Sequence, residues 1–246
     1  MIDSHMHINK MLLSDCDYYI NRVLENNNIE KVINVALNVS TSIELLHYNK
    51  FNKFVSSVGI HPLYINGQNI SLLEELIDDK VVAIGEIGLD ILNNNIELQK
   101  EYFIDQIAIA NNNHLPVIIH ANGTNQLVLD ILAKYPPLYG CVFHCYEPNI
   151  DCLEEIIKRG YYISFAGKIL AHNAKKSLEV AKIIPNELFL VETDSPYMVP
   201  DIIDAELNES SNLKYIVEKL AELRSVSFDE IDTITTENTK RLFKKL

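Results

Sequence analysis

Eight short apolar runs recur along this chain, and a stretch with helical spacing separates each from the next. The runs fall at residues 2–8, 31–37, 54–60, 81–87, 116–120, 141–144, 161–165 and 188–192. Most are β-branched or aromatic and too short to be helices, as expected of strands buried on both faces. Segments 17–25, 42–49, 72–77, 97–112, 125–134, 151–158 and 174–183 carry apolar residues three and four apart, the spacing of an amphipathic helix. Two further helices are expected at 212–223 and 228–245. Such alternation predicts parallel βα units, and eight of them predict an α/β fold, a TIM-type (β/α)8 barrel. An open doubly wound sheet accounts for the count less well. No Pro/Ser-rich linker or compositional break appears, so a single domain over residues 1–246 is expected.

Composition narrows the function classes. Hydrophobic residues make up 48% of the chain, ample for a large core. Lys and Arg number 21 against 34 Asp and Glu, a net charge of -13. That balance argues against a general nucleic-acid binder, because backbone binding depends on cations that neutralise phosphates; a local basic pocket remains compatible with it. The opening Met1-Ile2-Asp3-Ser4-His5 lacks secretory character, and no apolar run is long enough to cross a bilayer. A cytoplasmic protein with no membrane association is therefore expected. Cys16, Cys141, Cys145 and Cys152 lack C-x-x-C spacing and read as buried or indifferent thiols. Runs of asparagine such as 26–28 and 93–95 read as loops shaped by compositional bias.

Active sites of such barrels gather at the C-terminal strand ends. The first run ends in Asp3-Ser4-His5-Met6-His7, the third in Gly59-Ile60-His61-Pro62, and the fourth in Gly85-Glu86-Ile87-Gly88-Leu89-Asp90. The fifth ends at His120, the sixth in His144-Cys145, and the eighth in Glu192-Thr193-Asp194. In a strand, residues two apart face the same side, so His5 and His7 can meet one ion. One buried His is usually a satisfied core residue. Imidazoles and carboxylates from six strand ends, converging at one rim, would be costly to bury unpaired. A divalent cation held by His5, His7, Glu86, His120, His144 and Asp194 resolves that cost. Histidine and carboxylate without thiolate suit Zn²⁺, Mn²⁺ or Fe, with Mg²⁺ where carboxylates dominate. His61, beside a proline at a strand end, is expected to touch the substrate or support a ligand. His47 and His114 are expected outside the site, and His172 is not included in it.

These strand ends, in this order, resemble the TatD family of metal-dependent deoxyribonucleases in the amidohydrolase superfamily. The resemblance extends through Tyr162-Ile163-Ser164-Phe165-Ala166-Gly167, Ser195-Pro196-Tyr197 and the closing Glu237-Asn238-Thr239-Lys240-Arg241-Leu242-Phe243. It implies two divalent metal ions, zinc, manganese or magnesium. His5, His7 and Asp194 would hold one, His120 and His144 the other, and Glu86 would bridge them. Asp194 becomes the candidate general base, and Glu192 and Asp90 the candidates for orienting the imidazoles. The implied reaction is phosphodiester hydrolysis on DNA ends.

The substrate side departs from the family. Asn122 stands where family members usually carry Arg, Tyr146-Glu147-Pro148 where Phe-Ser-Gly is common, and Ile91 where a Tyr usually follows the Gly-Leu-Asp motif. An acidic stretch, residues 198–204, replaces a basic Arg-Gly-Lys segment. Each lost charge-assisted phosphate contact is worth roughly 1.5–3 kcal/mol, so Lys168, Lys175, Lys176 or a protein partner would have to compensate. Two other readings follow: a metallohydrolase of the same fold acting on a small molecule or modified nucleotide, and a partner-dependent subunit of a larger assembly.

Overall fold

The structure, a computed structural model, describes residues 1–93 and 95–246; Asn94, in one of the asparagine runs, lies outside them. Eight strands form one parallel sheet in chain order: β1 Ile2–Met6, β2 Lys31–Asn34, β3 Phe54–Val58, β4 Val81–Asp90, β5 Val117–Asn122, β6 Cys141–Phe143, β7 Tyr162–Phe165 and β8 Phe189–Val191. The helices are α1 Cys16–Glu25, α2 Val39–Leu46, α3 Leu72–Glu75, α4 Ile96–Asn112, α5 Asn125–Lys134, α6 Ile150–Lys158, α7 Lys175–Ile183, α8 Leu213–Arg224 and α9 Phe228–Leu242. The expected eightfold βα barrel is thus observed. Its strand and helix boundaries mostly lie within a few residues of the sequence pattern.

Alternation along each strand divides the apolar side chains between two layers. Val32, Val58, Ile84, Val117 and Ile163 face the helices, whereas Ile33, Val55, Ala83, Ile118, Val142 and Leu190 form a second, inner cluster. Leu242 and Phe243, at the end of α9, join the inner cluster, and Leu242 lies against Gly140 just before β6. The last helix therefore seals the floor of the barrel and leaves the opposite rim for chemistry. Asparagine is used more specifically than compositional bias suggests. Asn38, Asn95 and Asn149 accept a backbone N–H at the start of α2, α4 and α6, each such cap contributing about 0.5–2 kcal/mol.

The barrel closes at its seam through the motif that carries the first two histidines. The amide of Asp194 donates to His5 O at 2.9 Å, and that of His7 donates to Ser195 O at 2.6 Å. Beneath them the fully buried Asp3 carboxylate accepts from Thr193 N at 2.9 Å, Thr193 Oγ at 2.6 Å and Ser210 Oγ at 2.5 Å. Asp3 thus fastens β1 to the segment that follows β8. Among the described residues, no helix is long and apolar enough to cross a membrane.

Burial raises the Asp3 carboxyl from 3.8 to about 6 despite these hydrogen bonds. Its folded value lies above its unfolded one, so its contribution to stability is full below the unfolded value. That contribution is lost as pH rises through the folded value. Urea unfolding of the metal-free protein from about pH 4 to about pH 7 should show this decline, up to about 3 kcal/mol, and Asp3→Asn should remove it. An unchanged pH dependence in the variant would assign the slope to other groups.

Candidate metal centre

The barrel brings all six expected side chains to its C-terminal rim, together with His61. His5 lies within β1 and His7 just beyond it; Glu86 and His120 lie within β4 and β5. His144 follows β6 directly, and Asp194 follows β8 in the left-handed region at φ 54°. Asp tolerates that region better than most residues, and such backbone strain concentrates at functional sites. His61 arrives from the turn after β3, and β3 and β4 run close together there: a Cβ on Gly59 would lie 2.6 Å from the backbone of Gly85.

Glu86 sits at the middle of the cluster, and its two oxygens face different partners. Oε1 lies 2.6 Å from His120 Nδ1, 2.8 Å from His144 Nε2 and 3.4 Å from His61 Nε2. Oε2 faces His5 Nε2 at 3.4 Å and His7 Nε2 at 3.6 Å. Asp194 Oδ1 lies on that second side, 3.8 and 3.6 Å from the same two nitrogens. The Nε2 atoms of His5 and His7 are themselves only 3.0 Å apart.

The outer nitrogens determine which inner ones offer a lone pair. His7 Nδ1 contacts the Val35 carbonyl at 2.8 Å, so it carries the proton and leaves Nε2 free to ligate. His144 does the same through Glu192, with Nδ1 at 3.3 Å from Oε1. His120 is turned the other way, with Nε2 2.9 Å from Asp90 Oδ2 and Nδ1 inward. Glu192 is fixed in turn by Ser164 Oγ at 2.6 Å and by the Cys145 amide at 2.6 Å. Asp90 is met by the amide of Asn122 at 3.2 and 3.3 Å. His61 differs from the rest. Its Nδ1 accepts from Leu63 N at 3.1 Å, so its proton sits on Nε2 and points inward. His61 thus presents an N–H inward, where His7, His120 and His144 present a lone pair.

Charge in this pocket is strongly coupled. Burial opposes ionisation of Glu86, but His144 and His61, with hydrogen bonds from His120 and His144, hold its carboxyl well below the usual range. Burial likewise opposes charge on His144, yet Glu86 and Glu192 hold its pKa well above the ordinary value. His7 and His120 are raised against burial, His7 by Asp194 and Glu86, His120 by Asp90 and Glu86. His5 and His61 are lowered, chiefly by burial. The carboxylates thus demand positive charge at the inner nitrogens, which protons or divalent ions can supply.

The donor set fits a divalent ion. The donor atoms of His5, His7 and Glu86 lie within 4.8 Å of one another, as do those of His61, Glu86 and His120, and those of His5, His144 and Glu192. His5 Nδ1 is buried without a hydrogen-bond partner. Nitrogen and carboxylate donors without thiolate suit zinc, manganese or magnesium. By the tautomers, His61 is the member of these groups that does not qualify as a ligand.

Beside the cluster opens a cleft of about 200 Å³, lined in part by His120, Asn122, His144, Glu147, Lys168 and Asp194. Two of the departures noted in the sequence meet here. Asn122 is engaged by Asp90, and Glu147 accepts the Gly123 amide at 2.9 Å. His47, His114 and His172 are exposed, and none of them is among the side chains gathered around Glu86. Sequence reasoning did not assign Asp3 or Ser164 a role. Asp3 carried a usable signal, standing two residues before His5, whereas nothing local marks Ser164.

A family model described as TatD related DNase matches residues 2–244. The chain belongs to that family. It is 34% identical to the uncharacterized metal-dependent hydrolase YabD of Bacillus subtilis, over 99% of each chain. It is 30% identical to the uncharacterized metal-dependent hydrolase YcfH of Escherichia coli, over 99% of this chain and 95% of that one. Among solved structures, the E. coli TatD homolog YJJV superposes with a TM-score of 0.89 at 25% identity, covering 99% of this chain and 98% of that one. The TatD family fold and the gathered histidines and carboxylates together make this chain a metal-dependent hydrolase.

Because protons and metal compete for the same lone pairs, metal affinity should rise with pH across the range in which His7, His120 and His144 lose their protons. Calorimetric titration with Zn²⁺ or Mn²⁺ at several pH values, together with elemental analysis, checks this. Glu86→Ala should lower bound metal at least tenfold in affinity and abolish most of the metal-induced rise in Tm. Retention of full metal content by that variant would remove Glu86 from the centre.

Proposed function

We propose that this TatD family hydrolase cleaves phosphodiesters, with DNA ends as the natural target. The observation that carries the reading is the divided Glu86 carboxylate, one oxygen toward His120 and His144 and the other toward His5 and His7. In the proposed arrangement His5, His7 and Asp194 would hold one ion and His120 and His144 a second, with Glu86 available to both. Two such ions, when bound, supply Lewis-acid activation of water and charge neutralisation at phosphorus.

The chain's own residues divide the remaining tasks. Glu192, Asp90 and the Val35 carbonyl hold three imidazoles in the tautomers that face inward. Asp194 is kept ionised, because its histidine neighbours, His7 foremost, outweigh its burial. In this reading it accepts the proton of the attacking water. The water oxygen forms the new bond to phosphorus as the P–O bond to the leaving oxygen breaks. His61 Nε2–H donates to that leaving oxygen as its charge develops, and the proton taken up from water goes to the leaving alkoxide.

A second reading concerns substrate rather than chemistry. Asn122 is occupied by Asp90, and Glu147 presents a carboxylate at the cleft. Both disfavour an extended polyanion and favour a smaller ester or a modified nucleotide.

Metal-loaded protein should release p-nitrophenol from bis(p-nitrophenyl) phosphate and shorten end-labelled DNA. Asp194→Asn should lower kcat by roughly 10²–10⁴, and His61→Gln should reduce kcat by about tenfold or more with metal content unchanged. Cleavage of carboxylic esters but of no phosphodiester would overturn the reading while leaving a metallohydrolase.

A further inference from the structure

The cleft beside the metal cluster is built from unlike strand ends. Asn122 lies at the end of β5 and Glu147 follows β6, and both line it. The neighbouring β7 is followed by Lys168, which also lines the cleft, and then by the exposed Lys175 and Lys176 at the start of α7. Positive charge thus gathers after β7, whereas the β5–β6 wall carries a carboxylate and a carboxamide. Asn122 and Glu147 both stand where the sequence departs from the family pattern.

The hydrogen bonds of that wall decide what it offers a ligand. A carboxylate only accepts, so the amide nitrogen of Asn122 is the atom facing Asp90, 3.2 and 3.3 Å from its two oxygens. Asn122 Oδ1 is thereby turned away from Asp90, and among the described residues nothing donates to it. Glu147 is fixed at two points: its Oε2 accepts the Gly123 amide at 2.9 Å, and its backbone carbonyl accepts from Asn125 Nδ2 at 3.3 Å. Among the described residues, its Oε1 has no hydrogen-bond donor and no lysine or arginine pairs with the carboxylate. The donors of this wall, Gly123 N–H and the Asn122 amide, are therefore already used, and acceptors remain. Such a wall repels a phosphate oxygen and calls for a ligand that brings its own N–H groups.

We infer that the cleft selects phosphodiesters carrying an amino group, with Glu147 and Asn122 accepting its hydrogens while the phosphate lies toward Lys168. The amino group has two chemical sources, the exocyclic amine of a nucleobase and an aliphatic ammonium. The inference rests on the phosphodiesterase reading above and adds a specificity to it. An amine at this wall gains a charge-assisted hydrogen bond, whereas a carbonyl in the same place sets oxygen against oxygen.

The test uses the manganese-loaded protein and p-nitrophenyl esters of nucleotides that differ in one group. Deoxycytidine bears an amine where deoxyuridine bears a carbonyl oxygen, and deoxyadenosine differs from deoxyinosine in the same way. The amino member of each pair should have a kcat/KM about tenfold higher. Glu147→Ser should bring each ratio to within about twofold of unity, and Glu147→Gln, which can turn an N–H toward the cleft, should invert it. The p-nitrophenyl phosphodiesters of 2-aminoethanol and of propanol, compared in the same way, probe the aliphatic source. A preference confined to the nucleotides, or to the aminoethyl ester, identifies the source of the amine. Equal rates within every pair, with bis(p-nitrophenyl) phosphate still cleaved, overturn the inference and spare the phosphodiesterase. A preference that persists unchanged in both Glu147 variants overturns it as well. Failure to cleave any of these esters removes the phosphodiesterase reading and the inference with it.

Discussion

The Glu86 carboxylate is the constraint on which the rest of this molecule depends. It is buried on the fourth strand with imidazoles from four other strands around it. Isolated burial of that charge would cost many kcal/mol, so the site is tolerable only because counter-charge is built in from several directions at once. A closed barrel is well suited to this. Each strand end contributes one or two side chains from a rigid wall, and the hydrogen bonds between strands prevent the ring of donors from relaxing outward. The floor sealed by Leu242 and Phe243 supplies the apolar packing that holds the polar rim in place.

Around that centre the supporting contacts matter as much as the cluster. A histidine can offer either nitrogen, and the partner of the outer one decides the question. Val35 O, Asp90 and Glu192 therefore specify a chemical property of His7, His120 and His144 that the identity of the residue leaves open. The Leu63 amide imposes the opposite outcome on His61. One backbone hydrogen bond thus separates a would-be ligand from a donor.

Much of this was legible in the sequence, for definite reasons. Strand and helix alternate with different periods, so the eight βα units could be counted, and the histidines and carboxylates stood where those strands end. Boundaries shifted where long-range contacts intervene. The fourth strand runs on to Asp90 because it pairs with β5 as far as Asn122, and Gly88 permits the close approach, since a Cβ there would lie 2.0 Å from His120 O. No local pattern announces that pairing. The inward proton of His61, the anchoring of Glu192 by Ser164, and the engagement of Asn122 by Asp90 each join residues from different strands or depend on a turn. The role of asparagine as a helix cap was hidden by its abundance.

The seam between β1 and β8 joins the start of the chain to the segment that follows the last strand. Asp3 and Thr193, joined there by hydrogen bonds, are 190 residues apart. On a ribosome, the two histidines of the first strand emerge long before the aspartate that meets them at the seam. Bringing such distant segments together carries a loop-closure entropy that the intervening strands and helices must already have offset. A chain that stops before Thr193 therefore lacks both the contacts that close the seam and the carboxylate of Asp194. Closing the barrel at this seam and setting Asp194 beside His5 and His7 are one step, since the Asp194 amide itself bonds to His5 O.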